Sequence, residues 1–291
     1  MRLFLLLAVF ADGILAFPAG AQVTVTDDLQ RGVTLPGTPE RIVSLAPSIT
    51  ETLFAIGAGD QVAGVTDYCN YPKEVTGKLR VGGMINPSIE TIVSLRPDLI
   101  LLSMEGNVRD DFRKLTGLGI PVFVTNPRTL QGIYKSIADL GTLTGRTEES
   151  ARVLASMQSR ERRVRAPMKA RIERSVLLIV SLQPLMVAGS GTFLSEILTL
   201  AGGRNIAGSS SSTYPQFSRE AVVEGDPEVL LILSDAGGGS QNLTDRYPEW
   251  SRLRAVRNGR VYYIDPDILS RPGPRAADGL ERVALLLNPK P

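Results

Sequence analysis

Two stretches of this chain, 130 positions apart, repeat one pattern. Ser88 to Leu102 reads SIETIVSLRPDLILL, and Ser218 to Leu233 reads SREAVVEGDPEVLLIL. In each, a serine is followed by a glutamate (Glu90, Glu220), β-branched residues, a proline (Pro97, Pro227), an acid and an apolar run. The physical reading is a capped helix, its stop and a buried strand. A weaker pair, LFAIGAGDQVAG at 53–64 and ILTLAGGRNIAG at 197–208, recurs with an offset of 144. The larger offset of the earlier pair implies a shorter connection in the second half. The expected fold is therefore α/β, with two similar lobes of mainly parallel sheet.

Local patterns place the elements. Arg41 to Ala46 reads as a short buried strand that stops at Pro47. Ser48 reads as the cap of the next helix, with Glu51 completing a capping box. Ile49, Leu53 and Ile56 follow a helical period, and Gly57 and Gly59 close the helix. Strands are predicted at 62–65, 99–102 and 121–124, and helices at 88–95, 110–118 and 130–143. Thr147 to Arg165 holds no glycine or proline. It predicts one rigid helix of about five turns, roughly 28 Å long, ending before Pro167. A strand at 175–180 and a helix at 193–200 then restart the pattern. An N-terminal lobe over 22–146, a linking helix over 147–170 and a C-terminal lobe over 171–291 are expected, with a ligand cleft between the lobes.

Residues 1–21 have another character. Arg2, the apolar runs to Phe10 and Phe17, and Ala19-Gly20-Ala21 read as a signal peptide with its cleavage site. The apolar stretch is interrupted at Asp12 and too short to span a membrane. An exported, periplasmic protein beginning near Gln22 is expected, with no cysteine there to take a lipid anchor. Cys69 is the only cysteine, so no internal disulfide forms. The chain has no histidine, which excludes a Ser-His-Asp triad, a Cys-His pair and imidazole zinc sites. No metal site is expected. With 32 basic and 30 acidic residues, the net charge of +2 gives no footprint for nucleic acid. The basic run from Arg160 to Arg174 interleaves with Glu161 and Glu173, as a solvated helix face does. AGGRNIAG and DAGGGSQN lack a phosphate-loop ending and read as turns. Paired carboxylates leave open a cleft hydrolase or lyase. The helix dipole alone, however, favours Glu90 and Glu220 in their first turns.

Loops at the predicted strand ends are rich in Gly, Pro, Ser, Tyr and Met: 47–48, 67–70, 82–86 and 103–107 in one lobe, and 183–191, 209–217, 235–240 and 265–275 in the other. Facing lobes would line a ligand cleft with them.

The stretches RIVSLAPSITETLFAIGA, VTDYCNYP, SIETIVSLRPDLIL, YPQFSREAVVEGDPEVLLI and SRPGPRAADGLERVALLLNP fall in order along nearly the whole chain after residue 40. With them the chain resembles a periplasmic substrate-binding protein of an ABC importer. The likeness is to the class whose lobes are bridged by a helix and whose members carry cobalamin, haem or ferric siderophores, and it is greatest to the cobalamin-binding members. The resemblance implies a non-enzymatic, monomeric receptor with no cofactor of its own. It would deliver a small-molecule ligand to a permease and ATPase complex in the inner membrane. It places Tyr68, Met84, Ser103, Met186 and Tyr214 at cleft positions that are aromatic in cobalamin binders; only the two tyrosines are aromatic here. It places Glu90 and Glu220 against permease arginines. A cobalamin, another corrinoid, a haem or a siderophore would suit such a cleft. Tyr68 or Tyr214 could ligate haem iron. Arg271 and Arg275 either pair with ligand carboxylates or phosphate, or are surface arginines beside turn prolines.

Overall fold

The computed structural model describes residues 22–107, 109–166, 172–234 and 240–289. The expected leader at 1–21, the last linking residues at 167–170 and positions 235–239 of one expected cleft loop lie outside them. The described chain opens with a hairpin absent from the sequence expectations, β1 (Val23–Thr26) antiparallel to β2 (Gly32–Leu35). Buried Asp27 makes its turn, accepting the N–H groups of Leu29 and Arg31, both at 2.9 Å.

The first lobe holds β3 (Ile42–Ser44), β4 (Val62–Val65), β5 (Leu79–Arg80), β6 (Leu99–Ser103) and β7 (Val122–Thr125). These form one parallel sheet in the order β5-β4-β3-β6-β7. Its helices are α1 (Pro47–Ala55), α2 (Ile89–Ser94), α3 (Arg109–Gly117) and α4 (Leu130–Leu143). The linking helix α5 spans Thr147–Arg165, the span expected from its composition. The second lobe holds β8 (Arg174–Leu182), β9 (Leu185–Val187), β10 (Gly203–Asn205), β11 (Val229–Leu233) and β12 (Val261–Ile264). The order β10-β8-β11-β12 is parallel, and β9 folds back antiparallel on β8. Around it lie α6 (Phe193–Leu200), α7 (Arg219–Gly225), α8 (Ser240–Arg246), α9 (Arg254–Arg257), α10 (Pro266–Leu269) and α11 (Ala276–Leu287).

The repeat extends to backbone detail. Ser88 and Ser218 cap α2 and α7, accepting the N–H groups of Thr91 at 3.2 Å and Ala221 at 3.0 Å. Arg96 and Asp226, each just before its proline, adopt the left-handed region at φ 46° and 34°. Asp98 and Glu228 then accept backbone N–H groups at the start of the neighbouring strand, from Arg41 at 3.0 Å and from Ser175 at 2.9 Å. Val176 pairs with Val229 and Asn205, as Ile42 pairs with Leu99 and Val62. Part of AGGRNIAG is thus strand β10, a correction to its reading as a turn. A three-residue edge strand shows no periodicity and forms because β8 offers it a partner.

Strand side chains alternate between cores, because successive residues face opposite sides of a sheet. Leu99, Leu101, Val229 and Leu231 face one central cluster shared with α1, α4, α5, α6 and α11. Ile100 and Leu102 face an outer cluster with α2 and α3, and Leu230 and Ile232 face another that contains Tyr247 and Trp250. The lobes therefore share a continuous core beneath the cleft. Glu196 of α6 adds a polar tie, accepting the Leu130 N–H at the start of α4.

The start of α1 departs from the capping-box expectation. Ala46 is the N-cap, extended at φ −148°, with no side-chain cap, and Pro47 occupies the first turn. Proline fits there because the missing N–H has no helical partner to lose. Ser48 lies inside the helix, and Glu51 turns away from the helix start toward the other lobe.

Candidate functional site

Strand ends of the two lobes open onto the cleft between them. A cavity of about 310 Å³ is walled on one side by Ala46, Pro47, Ser48, Tyr68, Met84, Ser103, Glu105 and Gly106. Ser270, Arg271 and Pro272 wall the other. A wider space of about 650 Å³ shares Tyr68 and Arg271 and adds Asp67, Asn70, Ser234, Tyr263, Asp265 and Asp267. The short β3–α1 turn is therefore cleft wall. Its neighbour across the cleft approaches closely: a Cβ on Gly273 would stand 3.1 Å from the Ser48 carbonyl oxygen.

Four of the seven expected ligand residues line this space: Tyr68, Met84, Ser103 and Arg271. Tyr68 is 60% exposed, so most of its ring is available to a ligand. Arg80 holds the loop that carries it, donating to the carbonyls of Thr66 at 2.8 Å and Cys69 at 2.7 Å. Cys69 lies buried beneath, its sulfur 3.2 Å from the hydroxyls of both Thr50 and Thr66. Tyr214 lies half-buried in the other lobe, packed against the shared core, and is not among the residues that line either cavity. Burial, and then the nearby Glu105 carboxylate, push its phenol up to about 12 against the opposing charge of Arg128. Glu105 itself is raised above the ordinary carboxylate range by partial loss of water, with Arg128 opposing. Met186 lies half-buried on β9, paired through the backbone with Gln216 two residues from Tyr214, and does not join the cavity lining.

Arg271 and Arg275 are engaged by Glu51, which the sequence pattern had placed in a capping box rather than opposite these arginines. Arg271 Nη1 donates to Glu51 Oε1 at 2.9 Å and to Asn70 Oδ1 at 2.7 Å, and its other nitrogen pairs with Asp267. Arg275 grips the same carboxylate with two bonds, at 2.8 and 2.6 Å, and stacks its guanidinium 4.3 Å from the Tyr71 ring centroid. The Glu51 side chain is 2% exposed. A buried charge of this kind requires such pairing. The Glu51 bonds raise Arg275 above its ordinary pKa. The sequence sign was a carboxylate set between the helically spaced apolar residues Ile49, Leu53 and Ile56.

Glu90 and Glu220 occupy equivalent exposed positions in the first turns of α2 and α7. Glu220 is held below the ordinary carboxylate range by its own backbone N–H and the Ser218 hydroxyl.

A periplasmic binding protein family model matches residues 42–268. An uncharacterized ABC transporter substrate-binding lipoprotein, YvrC of Bacillus subtilis (strain 168), is 34% identical over 275 residues, covering 92% of this chain and 86% of its own. Among solved structures, the periplasmic vitamin B12 binding protein BtuF of Vibrio cholerae superposes with a TM-score of 0.78 at 31% identity, covering 86% of this chain and 96% of that one. The periplasmic heme-binding protein RhuT from Roseiflexus sp. RS-1 gives 0.77 at 26% identity, covering 86% and 98%. Two lobes on one linking helix, a cleft at their strand ends and a match over most of the length agree: the chain belongs to the periplasmic binding protein family, the non-enzymatic substrate-binding components of ABC importers.

Proposed function

We propose that the chain captures cobalamin or a related corrinoid in the interlobe cleft and delivers it to an ABC permease and its ATPase. The observation that carries the choice of ligand is the engagement of Arg271 and Arg275 by Glu51. A ligand with propionates or other carboxylates would have to compete with that buried pairing for a guanidinium. The cleft lining also carries Glu105, Asp67 and Asp265, whose carboxylates suit the amide N–H groups that fringe a corrin ring. Tyr68 and Tyr214 supply ring faces, and Met84 a polarizable apolar contact. In this reading Ser103 and Arg271 are cleft wall, Arg275 supports Arg271 through Glu51, and Met186 supports the Tyr214 segment. Glu90 and Glu220 are the permease-docking residues. The domain division at 22–146, 147–170 and 171–291, and export as a periplasmic monomer, belong to the same proposal.

Parallel titrations with cyanocobalamin and haemin, by visible absorption and calorimetry, test it. Cyanocobalamin is expected to bind at micromolar affinity or tighter, with haemin weaker. The reverse order would replace the corrinoid with haem. Tyr68→Ala and Tyr214→Ala should each weaken binding by about 1 kcal/mol through lost ring contact. Unchanged affinity in both folded variants would remove the tyrosines from the ligand site.

A further inference from the structure

Asn107 closes the turn after β6, and its side chain spends its hydrogen-bonding capacity on three segments of backbone. Oδ1 accepts the Ser103 N–H at 2.8 Å, while Nδ2 donates to the Met84 carbonyl at 2.8 Å and the Leu45 carbonyl at 3.1 Å. Only an amide offers an acceptor and two donors on one short side chain. The joined segments are the end of β6, the loop after β5 and the turn into α1. These carry Ser103, Met84 and Pro47-Ser48, one wall of the cavity. Beside Asn107, Gly106 lies so close to Met84 Cε that a Cβ there would overlap it. A methionine has three freely rotating bonds, so its place in a wall is set by what surrounds it.

We propose that Asn107 is a positioning residue for ligand capture, and that with Gly106 it decides where Met84 stands in the cleft wall. The proposal rests on the cleft being the ligand site, but its first readout requires no ligand. Methyl spectra of protein labelled at methionine Cε report Met84 directly, with its signal assigned through Met84→Leu. In Asn107→Ala the Met84 signal is expected to move, while that of Met157, buried in α5, stays. Affinity for cyanocobalamin is expected to fall about tenfold. A merely structural role would lower the melting temperature and leave the Met84 signal and the affinity of the folded protein unchanged. That result overturns the proposal.

Gly106→Ala provides a second route that leaves the Asn107 bonds in place. It should move the Met84 signal and weaken binding, and weaken it no further in a Met84→Ala background. An additional loss there would overturn the part assigned to Met84. If the wild-type protein binds no cyanocobalamin, the corrinoid reading falls, and the Met84 signal in the Asn107 variant still decides the positioning role.

Discussion

Glu51 sits on one lobe and is held by two arginines of the other, so a single carboxylate joins α1 to the segment that leads into α11. Its removal would leave two guanidinium groups, with side chains only 12% and 17% exposed, without their shared partner. Breaking a buried ion pair from one side typically costs about 3–5 kcal/mol. Glu51→Ala should fall near the lower end, about 3 kcal/mol, because Arg271 keeps Asp267 and Asn70. Urea unfolding with an unchanged slope checks this, and a loss below about 1 kcal/mol would class the pairing with ordinary surface ion pairs. The charge itself was plain in the sequence. Its partners, more than 200 positions away, were not, because no short-range pattern relates Glu51 to Arg271.

At the scale of elements, Glu228 ties β11 to β8 by accepting the Ser175 N–H at 2.9 Å. That bond is the leading reason its carboxyl lies below the ordinary value of 4.5. With a lowered folded value, the unfolded chain takes up the proton first as pH falls. The stabilisation is therefore present above about pH 4.5 and lost as pH drops through the folded value. Glu228→Gln should lower stability near pH 6, and the gap from wild type should narrow toward pH 3. Urea midpoints across that range test it; a gap that stays constant or widens toward acid would remove Glu228 as the source. The corresponding helix starts, Ser88 on α2 and Ser218 on α7, were readable in advance. A cap is a contact between residues three apart, and such spacing survives in the sequence. The β1–β2 hairpin and β10 were not, being short segments whose pairing partner, rather than their own pattern, makes them strands.

For the whole molecule, the shared core and the Glu51 and Glu196 ties leave the lobes joined across much more than one helix. A receptor built this way presents its two lobes to a partner as a unit, with Glu90 on one and Glu220 on the other. Glu90→Ala and Glu220→Ala should leave cyanocobalamin affinity nearly intact and impair uptake by a reconstituted permease, most severely in combination. Loss of a counter-charge costs about 2–5 kcal/mol in a buried pair and less at a rim. Full transport by the folded double variant would return both residues to helix capping. Alternating apolar segments, a glycine-free run of 19 residues and a repeated capped helix were enough to specify two parallel-sheet lobes and the helix between them. Those features rest on neighbours within a few residues, which composition and period encode. What gathers in the cleft follows from where the lobes stop relative to each other. Tyr68, Met84, Ser103 and Arg271 meet there, Arg275 is drawn behind them by Glu51, and Asn107 fastens three loops at once, because contacts between distant segments form only when a common core has brought those segments together.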